Sequence, residues 1–187
     1  DLSTPNDNSP KGWIKMIEGY QQNAADTRLG IPIIFGVDAV HGNSIVQDAT
    51  VFPHNVGLGA ANDKDLMKNI ASVTAQEMLS TGITYNFGPC VAVPKDLRWG
   101  RYYEGYSENP EIVTNLSSEY IRQLQSYGIA ATAKHFIADG ATMWGTGDSG
   151  YKIDQGNAII KGDKLFKEEL LPYREAEIGR ASCRERV

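Results

Sequence analysis

Ile33-Ile34-Phe35-Gly36-Val37-Asp38 is an unbroken β-branched and aromatic run that stops at a carboxylate. A run that is apolar at successive positions, rather than at alternate ones, suits a strand covered on both faces in a parallel sheet. It predicts a strand over 33–37 with Asp38 at its C-terminal end. Upstream, Trp13, Ile14, Ile17 and Tyr20 fall at helical spacing across 11–28, before Gly30-Ile31-Pro32 breaks the pattern. Downstream, Asp63 is placed to cap a helix over 64–80, with Leu66, Ile70, Val73 and Met78 recurring at three and four residues and Gly82 ending it. Residues 83–87 then read as a second strand. After a loop over 88–107, Asn109 caps a helix with Pro110 at its first position and Ile112, Leu116, Tyr120, Ile121 and Leu124 as its apolar stripe, closed by Gly128. A third strand over 129–133 leads into Lys134-His135, and Asp163 starts a last helix that Pro172 interrupts.

Strands alternating with helices imply parallel βαβ units with right-handed crossovers. Such units build either an open doubly wound sheet or part of a (β/α)8, or TIM, barrel. Neither G-x-G-x-x-G nor G-x-x-x-x-G-K-[ST] occurs, which counts against the nucleotide-binding doubly wound form. In a barrel, functional groups gather after the C-terminal ends of the strands, and the three strands here end at Asp38, Asn86-Phe87 and Lys134-His135. A full barrel takes about 250 residues. The 187 residues present therefore predict roughly its first half.

Composition narrows the function classes. With 18 Lys plus Arg against 23 Asp plus Glu, the net charge is −5, and no basic cluster suits nucleic acid. At 41% hydrophobic and 22% charged residues there is enough apolar material for a packed core. No run approaches the ~18 apolar residues of a membrane span. Cys90 and Cys183 are too few for a disulfide scaffold or zinc cluster, and His41, His54 and His135 form no H-x-H or H-E-x-x-H motif, so no metal site is expected. The first residues read as the middle of a longer chain from which any signal peptide is missing. The tail 179–187, with three arginines in nine residues, reads as a non-native scar of cloning or sequencing.

Each candidate is ambiguous alone. Asp38 could cap the next turn, and Arg101 could rest on Trp99. Lys134 and His135 follow a strand of small residues, where an unpaired ammonium is costly to bury. His41 and His54, flanked by glycine or proline turns, read as backbone-satisfying residues. Together Asp38, Arg101, Lys134 and His135 supply one acceptor carboxylate and three kinds of donor. A polyhydroxylated ring needs that mixture, whereas a phosphate site would omit the carboxylate.

These residues lie within Gly30-Ile31-Pro32-Ile33-Ile34-Phe35-Gly36-Val37-Asp38-Ala39-Val40-His41-Gly42, Thr50-Val51-Phe52-Pro53-His54-Asn55-Val56-Gly57-Leu58-Gly59, Arg98-Trp99-Gly100-Arg101 with Tyr103-Glu104-Gly105-Tyr106-Ser107-Glu108-Asn109-Pro110, and Ala133-Lys134-His135-Phe136. In that order the four motifs resemble the N-terminal (β/α)8 domain of glycoside hydrolase family 3, in its β-glucosidase and exo-β-glucanase branch. The β-N-acetylglucosaminidase branch continues with a proline-glycine-histidine loop and a second histidine. Here Phe136-Ile137-Ala138-Asp139-Gly140 follows, with no histidine after His135.

The resemblance implies a retaining, exo-acting enzyme that removes β-linked glucose from the non-reducing ends of β-glucosides or β-glucan oligosaccharides. It implies no metal or cofactor, and a periplasmic or secreted location. Asp38, Arg101, Lys134 and His135 would hold the sugar in the −1 subsite, with Phe87 lining it. Residues 1–178 would then be part of the family's barrel domain. The two carboxyl groups of the chemistry, roughly 5–5.5 Å apart in retaining enzymes, would lie downstream, in the rest of the barrel and a second domain. Asp148-Ser149, set among glycines, is not a nucleophile candidate. The competing reading is a non-catalytic sugar-binding or scaffold protein that natively stops here; a different (β/α)8 enzyme acting on sugars or phosphosugars is a third.

Overall fold

In the computed structural model, which describes residues 4–148, 150–178 and 182–185, strands and helices alternate as the apolar patterns predict. Ser149, and residues 179–181 and 186–187 of the arginine-rich tail, lie outside the described residues. The elements are α1 (Pro10–Ala25), β1 (Gly36–Val37), α2 (Asn55–Ala61), α3 (Lys64–Leu79), β2 (Tyr85–Asn86), α4 (Pro110–Ser126), β3 (Ala130–Phe136), α5 (Leu171–Ile178) and β4 (Ser182–Glu185). All strand pairs are parallel, in the order β1-β2-β3-β4. Gly36 is level with Tyr85, Tyr85 with Ala130, and Thr132 with Ser182.

The two expected caps form, Asp63 Oδ1 accepting from Leu66 N and Asn109 Oδ1 from Glu111 N, and Ser9 Oγ, for which no cap was expected, accepts from Gly12 N; each satisfies an orphan donor at a helix start. Gly128, at φ +84°, turns the chain from α4 into β3. One face of the sheet is covered by helices, with Val37, Ala131 and Ala133 in a core shared with Met67, Ile70, Met78, Leu116, Ile121 and Leu124. Asn86, on the same face by alternation, donates to Ala39 O, which also accepts from Tyr120 Oη of α4. Ile17 of α1 packs at Gly82, ahead of β2. The helix before the first strand thus lies towards the amino ends of the strands, opposite the candidate site.

Several local expectations are corrected, among them the second strand, expected over 83–87, which pairs only at Tyr85–Asn86. The predicted strand over 33–37 pairs only at Gly36–Val37, and Ile33 and Ile34 are exposed. The Gln21 carboxamide bonds both Ile33 N and Ile33 O, taking the backbone groups a neighbouring strand would use. The third strand runs further than predicted and includes Lys134 and His135. The helix expected from Asp163 is instead a π-helical turn, Leu165–Glu169, followed by α5, with Pro172 in the first turn of α5, where its missing N–H is harmless. Finally, α2 was not expected, because Gly57 and Gly59 weaken its helical signal. Within the arginine-rich tail, Ser182–Glu185 forms β4 beside β3.

Candidate functional site

On the sheet face opposite the helices, alternation puts Gly36 and Asp38 of the first strand segment beside Tyr85 and Phe87 of the second and Thr132 and Lys134 of the third. Gly36 is required there, since a Cβ would come within 2.5 Å of the Phe87 ring. The Phe87 ring meets Tyr85 edge-to-face at 5.0 Å, and Tyr85 Oη accepts from Thr132 Oγ1 at 2.7 Å. Phe87 therefore forms part of the floor between the outer two strands. Lys134 Nζ donates across that floor to Asp38 Oδ1. The Lys134 side chain is 7% exposed and Asp38 46%, so the ammonium is buried against its counter-ion while the carboxylate keeps an open side.

The second half of the site comes from the loop after β2. This segment runs on along β3: Thr132 N donates to Gly88 O, Lys134 N to Pro89 O and Val91 N to Lys134 O. It then turns through Trp99 into a 3₁₀ turn, Tyr102–Glu104. Arg101 Nη2 lies 2.6 Å from Glu104 Oε2 and 3.4 Å from His135 Nε2. His135 Nδ1 lies 3.0 Å from Asp139 Oδ2. A guanidinium can only donate, so Nε2 accepts and the ring proton sits on Nδ1, directed at Asp139. Consecutive residues of a regular strand face opposite ways, but the β3–β4 ladder is irregular between Lys134 and Phe136. Such an irregularity re-aims a side chain, and His135 meets Arg101 while Lys134 meets Asp38. Tyr173 Oη of α5 donates to His135 O and fixes the backbone there.

Asp38 and Lys134 thus form one ion-paired arm, and Arg101, ion-paired with Glu104 and bonded to His135, forms the other, with Phe87 between the strands that carry the first arm. Glu104 and Asp139 had no role assigned from sequence. They sit three and four residues from Arg101 and His135, and that spacing was the available signal. His41 and His54 stack at 4.1 Å, His41 Nδ1 lies 3.0 Å from Phe52 O, and His54 meets Tyr103 at 4.5 Å. Desolvation, then the neighbouring His41, lowers the His54 pKa. Cys90 is fully buried, and burial pushes its thiol up to about 12, which leaves it inert.

Among the described residues no group of three or more His, Cys, Asp or Glu is placed to hold a metal ion, and no helix is long and apolar enough to cross a membrane.

Comparison with known proteins identifies relatives of the chain as a whole. The chain is 35% identical over 180 residues to a β-xylosidase of Formosa agariphila, covering 89% of this chain and 24% of that protein. It is 29% identical over 159 residues to a periplasmic β-glucosidase of Salmonella typhimurium, covering 82% and 19% respectively. A crystal structure of a mutant exo-1,3/1,4-β-glucanase from a Pseudoalteromonas species superposes with a TM-score of 0.82 at 40% identity, covering 90% of this chain and 28% of that one. The chain thus spans about a fifth to a quarter of the length of these curated relatives. The profile of the glycosyl hydrolase family 3 N-terminal domain matches residues 2–181, and the chain belongs to that family.

Proposed function

We propose that this chain supplies the sugar-holding side of a retaining, exo-acting β-glucosidase site, in which Asp38, Lys134, Arg101 and His135 grip the hydroxyls of a terminal β-linked glucose and Phe87 lines the floor beneath it. The observation that carries the reading is the pairing of the half-exposed Asp38 carboxylate with the buried Lys134 ammonium beside the Arg101–His135 arm. A carboxylate accepts from one hydroxyl while an ammonium, a guanidinium and an imidazole edge donate to or accept from its neighbours. Arg101 Nε and Asp139 Oδ1 add to the case. Both are buried without a hydrogen-bond partner among the described residues, a cost that a polar ligand or water reaching them would relieve.

In this reading the nucleophile and the acid/base that form and hydrolyse the glycosyl-enzyme come from outside these 187 residues. The whole protein acts on β-glucosides or β-glucan oligosaccharides, in the periplasm or outside the cell; a relative named a periplasmic β-glucosidase supports the first location and a neighbour named an exo-1,3/1,4-β-glucanase the substrate class. Titration calorimetry with glucose, and with xylose as the competing sugar, tests the reading. Saturable glucose binding that Asp38→Ala abolishes supports it; absence of binding by either sugar overturns it.

A further inference from the structure

Three rings from separate segments stack between the Asp38 strand end and the Arg101 turn. His41 follows Asp38 by three residues and lies on His54, with ring centroids 4.1 Å apart and a 36° tilt; His54 in turn meets Tyr103 edge-to-face at 4.5 Å. Each ring is anchored through its backbone neighbours. His41 Nδ1 lies 3.0 Å from Phe52 O, and Phe52 N donates back to His41 O. A carbonyl only accepts, so the His41 ring proton sits on Nδ1. Asn55, next to His54, is buried and donates from Nδ2 to Glu104 O at 2.8 Å. Tyr103 lies within the 3₁₀ turn that Arg101 caps and Glu104 ends. The stack therefore joins the segment carrying Asp38 to the turn carrying Arg101.

His54 occupies an unusual place for such a ring. Helix N-caps favour Ser, Thr, Asp or Asn, whose short side chains bond the first turn. His54 holds that position in α2 and makes no side-chain bond to the helix; its ring is given to the stack instead. His54 and Tyr103 are both exposed, so solvent protons reach it. The ionisable groups facing His54 are His41 from the loop after β1, and Tyr103 and Glu104 from the 3₁₀ turn. Desolvation and His41 oppose a proton on His54, and Glu104 favours one. Glu104 is also the counter-ion of Arg101, at 2.6 Å with side chains 12% and 28% exposed. An imidazolium at His54 and the Arg101 guanidinium would thus compete for one carboxylate.

We propose that His54 is a positioning residue for Arg101: as a neutral ring it holds the 3₁₀ turn against the Asp38 segment, and as an imidazolium it draws Glu104 away from Arg101, loosening the site in mildly acidic solution. The ligand consequence rests on the sugar-holding reading of Arg101; the effect on the arginine itself does not.

The test compares the 187-residue wild type with His54→Phe, which keeps a flat ring that cannot titrate, and His54→Ala, which removes the ring. The Arg101 Nε–H resonance, assigned with Arg101→Lys, is followed by nitrogen-15 NMR between about pH 7.5 and about pH 5, where a histidine changes charge, and glucose is titrated by calorimetry at both ends. In the wild type the Arg101 signal should move with the His54 ring signals, and glucose affinity should fall at least about threefold more on acidification than in His54→Phe. His54→Ala should displace the Arg101 signal and weaken glucose binding already at the higher pH, with His54→Phe restoring both. An Arg101 signal that moves with pH alike in wild type and His54→Phe, or that is unchanged in His54→Ala, overturns the positioning role and leaves the sugar-holding reading standing. Absence of glucose binding by the wild type overturns the sugar-holding reading, and the Arg101 resonance then decides the positioning role by itself.

Discussion

Lys134 on β3 reaches over β2 to pair with Asp38 at the end of β1, joining residues 96 positions apart in the chain. The pair is asymmetric in its burial, and that decides what each substitution should do. Removing the partner of a buried charge leaves it uncompensated, at a cost of about 3–5 kcal/mol when both groups are enclosed. Because Asp38 is nearly half exposed, Asp38→Ala should cost less, about 1–3 kcal/mol, in urea denaturation. Lys134→Met fills the same space without a charge and should be close to neutral for stability. On the proposed sugar-holding reading both variants should lose glucose binding, which separates the pair's proposed ligand role from its folding role.

The tautomer of His135 is set by the groups on either side. Nδ1–H directed at Asp139 and Nε2 accepting from Arg101 predict, in nitrogen-15 NMR of the ring, a protonated Nδ1 and an unprotonated Nε2 near pH 8. Asp139→Asn keeps an oxygen acceptor and should preserve that pattern. Asp139→Ala removes it and should yield a tautomer mixture, with glucose affinity reduced about tenfold, roughly 1.4 kcal/mol for one hydrogen bond that places a ligand-facing ring.

Glu169, in the π-helical turn, is 1% exposed, and its Oε1 has no hydrogen-bond partner among the described residues. Desolvation raises its pKa from 4.5 to about 7, and the Lys95 charge offsets only part of that. A folded-state pKa above the unfolded one means that the folded chain holds a proton the unfolded chain releases. The associated stability is fully present below about pH 4.5, is lost as pH rises towards 7, and stays lost above it. The total is about 3 kcal/mol. Glu169→Gln should therefore be more stable than the wild type at pH 8, with the difference shrinking to near zero at pH 4.5. An equal gain at both pH values would show that the carboxyl does not titrate in this range.

Turnover requires groups beyond those that hold the sugar. On the proposed reading, in which the nucleophile lies outside these 187 residues, the chain is expected to give no release of nitrophenol from aryl β-glucosides, since losing a nucleophile costs orders of magnitude in rate. Activity that disappears in Asp38→Ala would place the catalytic carboxyls inside this chain.

Much of the architecture was legible in local sequence, because its determinants are local. Asp63 and Asn109 cap helices through atoms two or three residues away, and Gly128 turns the chain through its own φ. The alternation of strand and helix, and the placing of polar residues at strand ends, pointed to half a barrel and to Asp38, Arg101, Lys134 and His135 as the group to examine. The extent of each strand was not legible, because Ile33 is withdrawn from pairing by Gln21, twelve residues earlier. Nor was the partnering of the site. That Lys134 answers Asp38, that Arg101 meets His135, and that Trp99 ties the Trp144 loop to the arginine turn through Asp154 depend on segments brought together by parallel strand order. Residue types and short spacings are written in the chain; which charge neutralises which is decided only when the sheet aligns them, because electrostatic and hydrogen-bond partners must lie within a few ångströms whatever their distance in sequence.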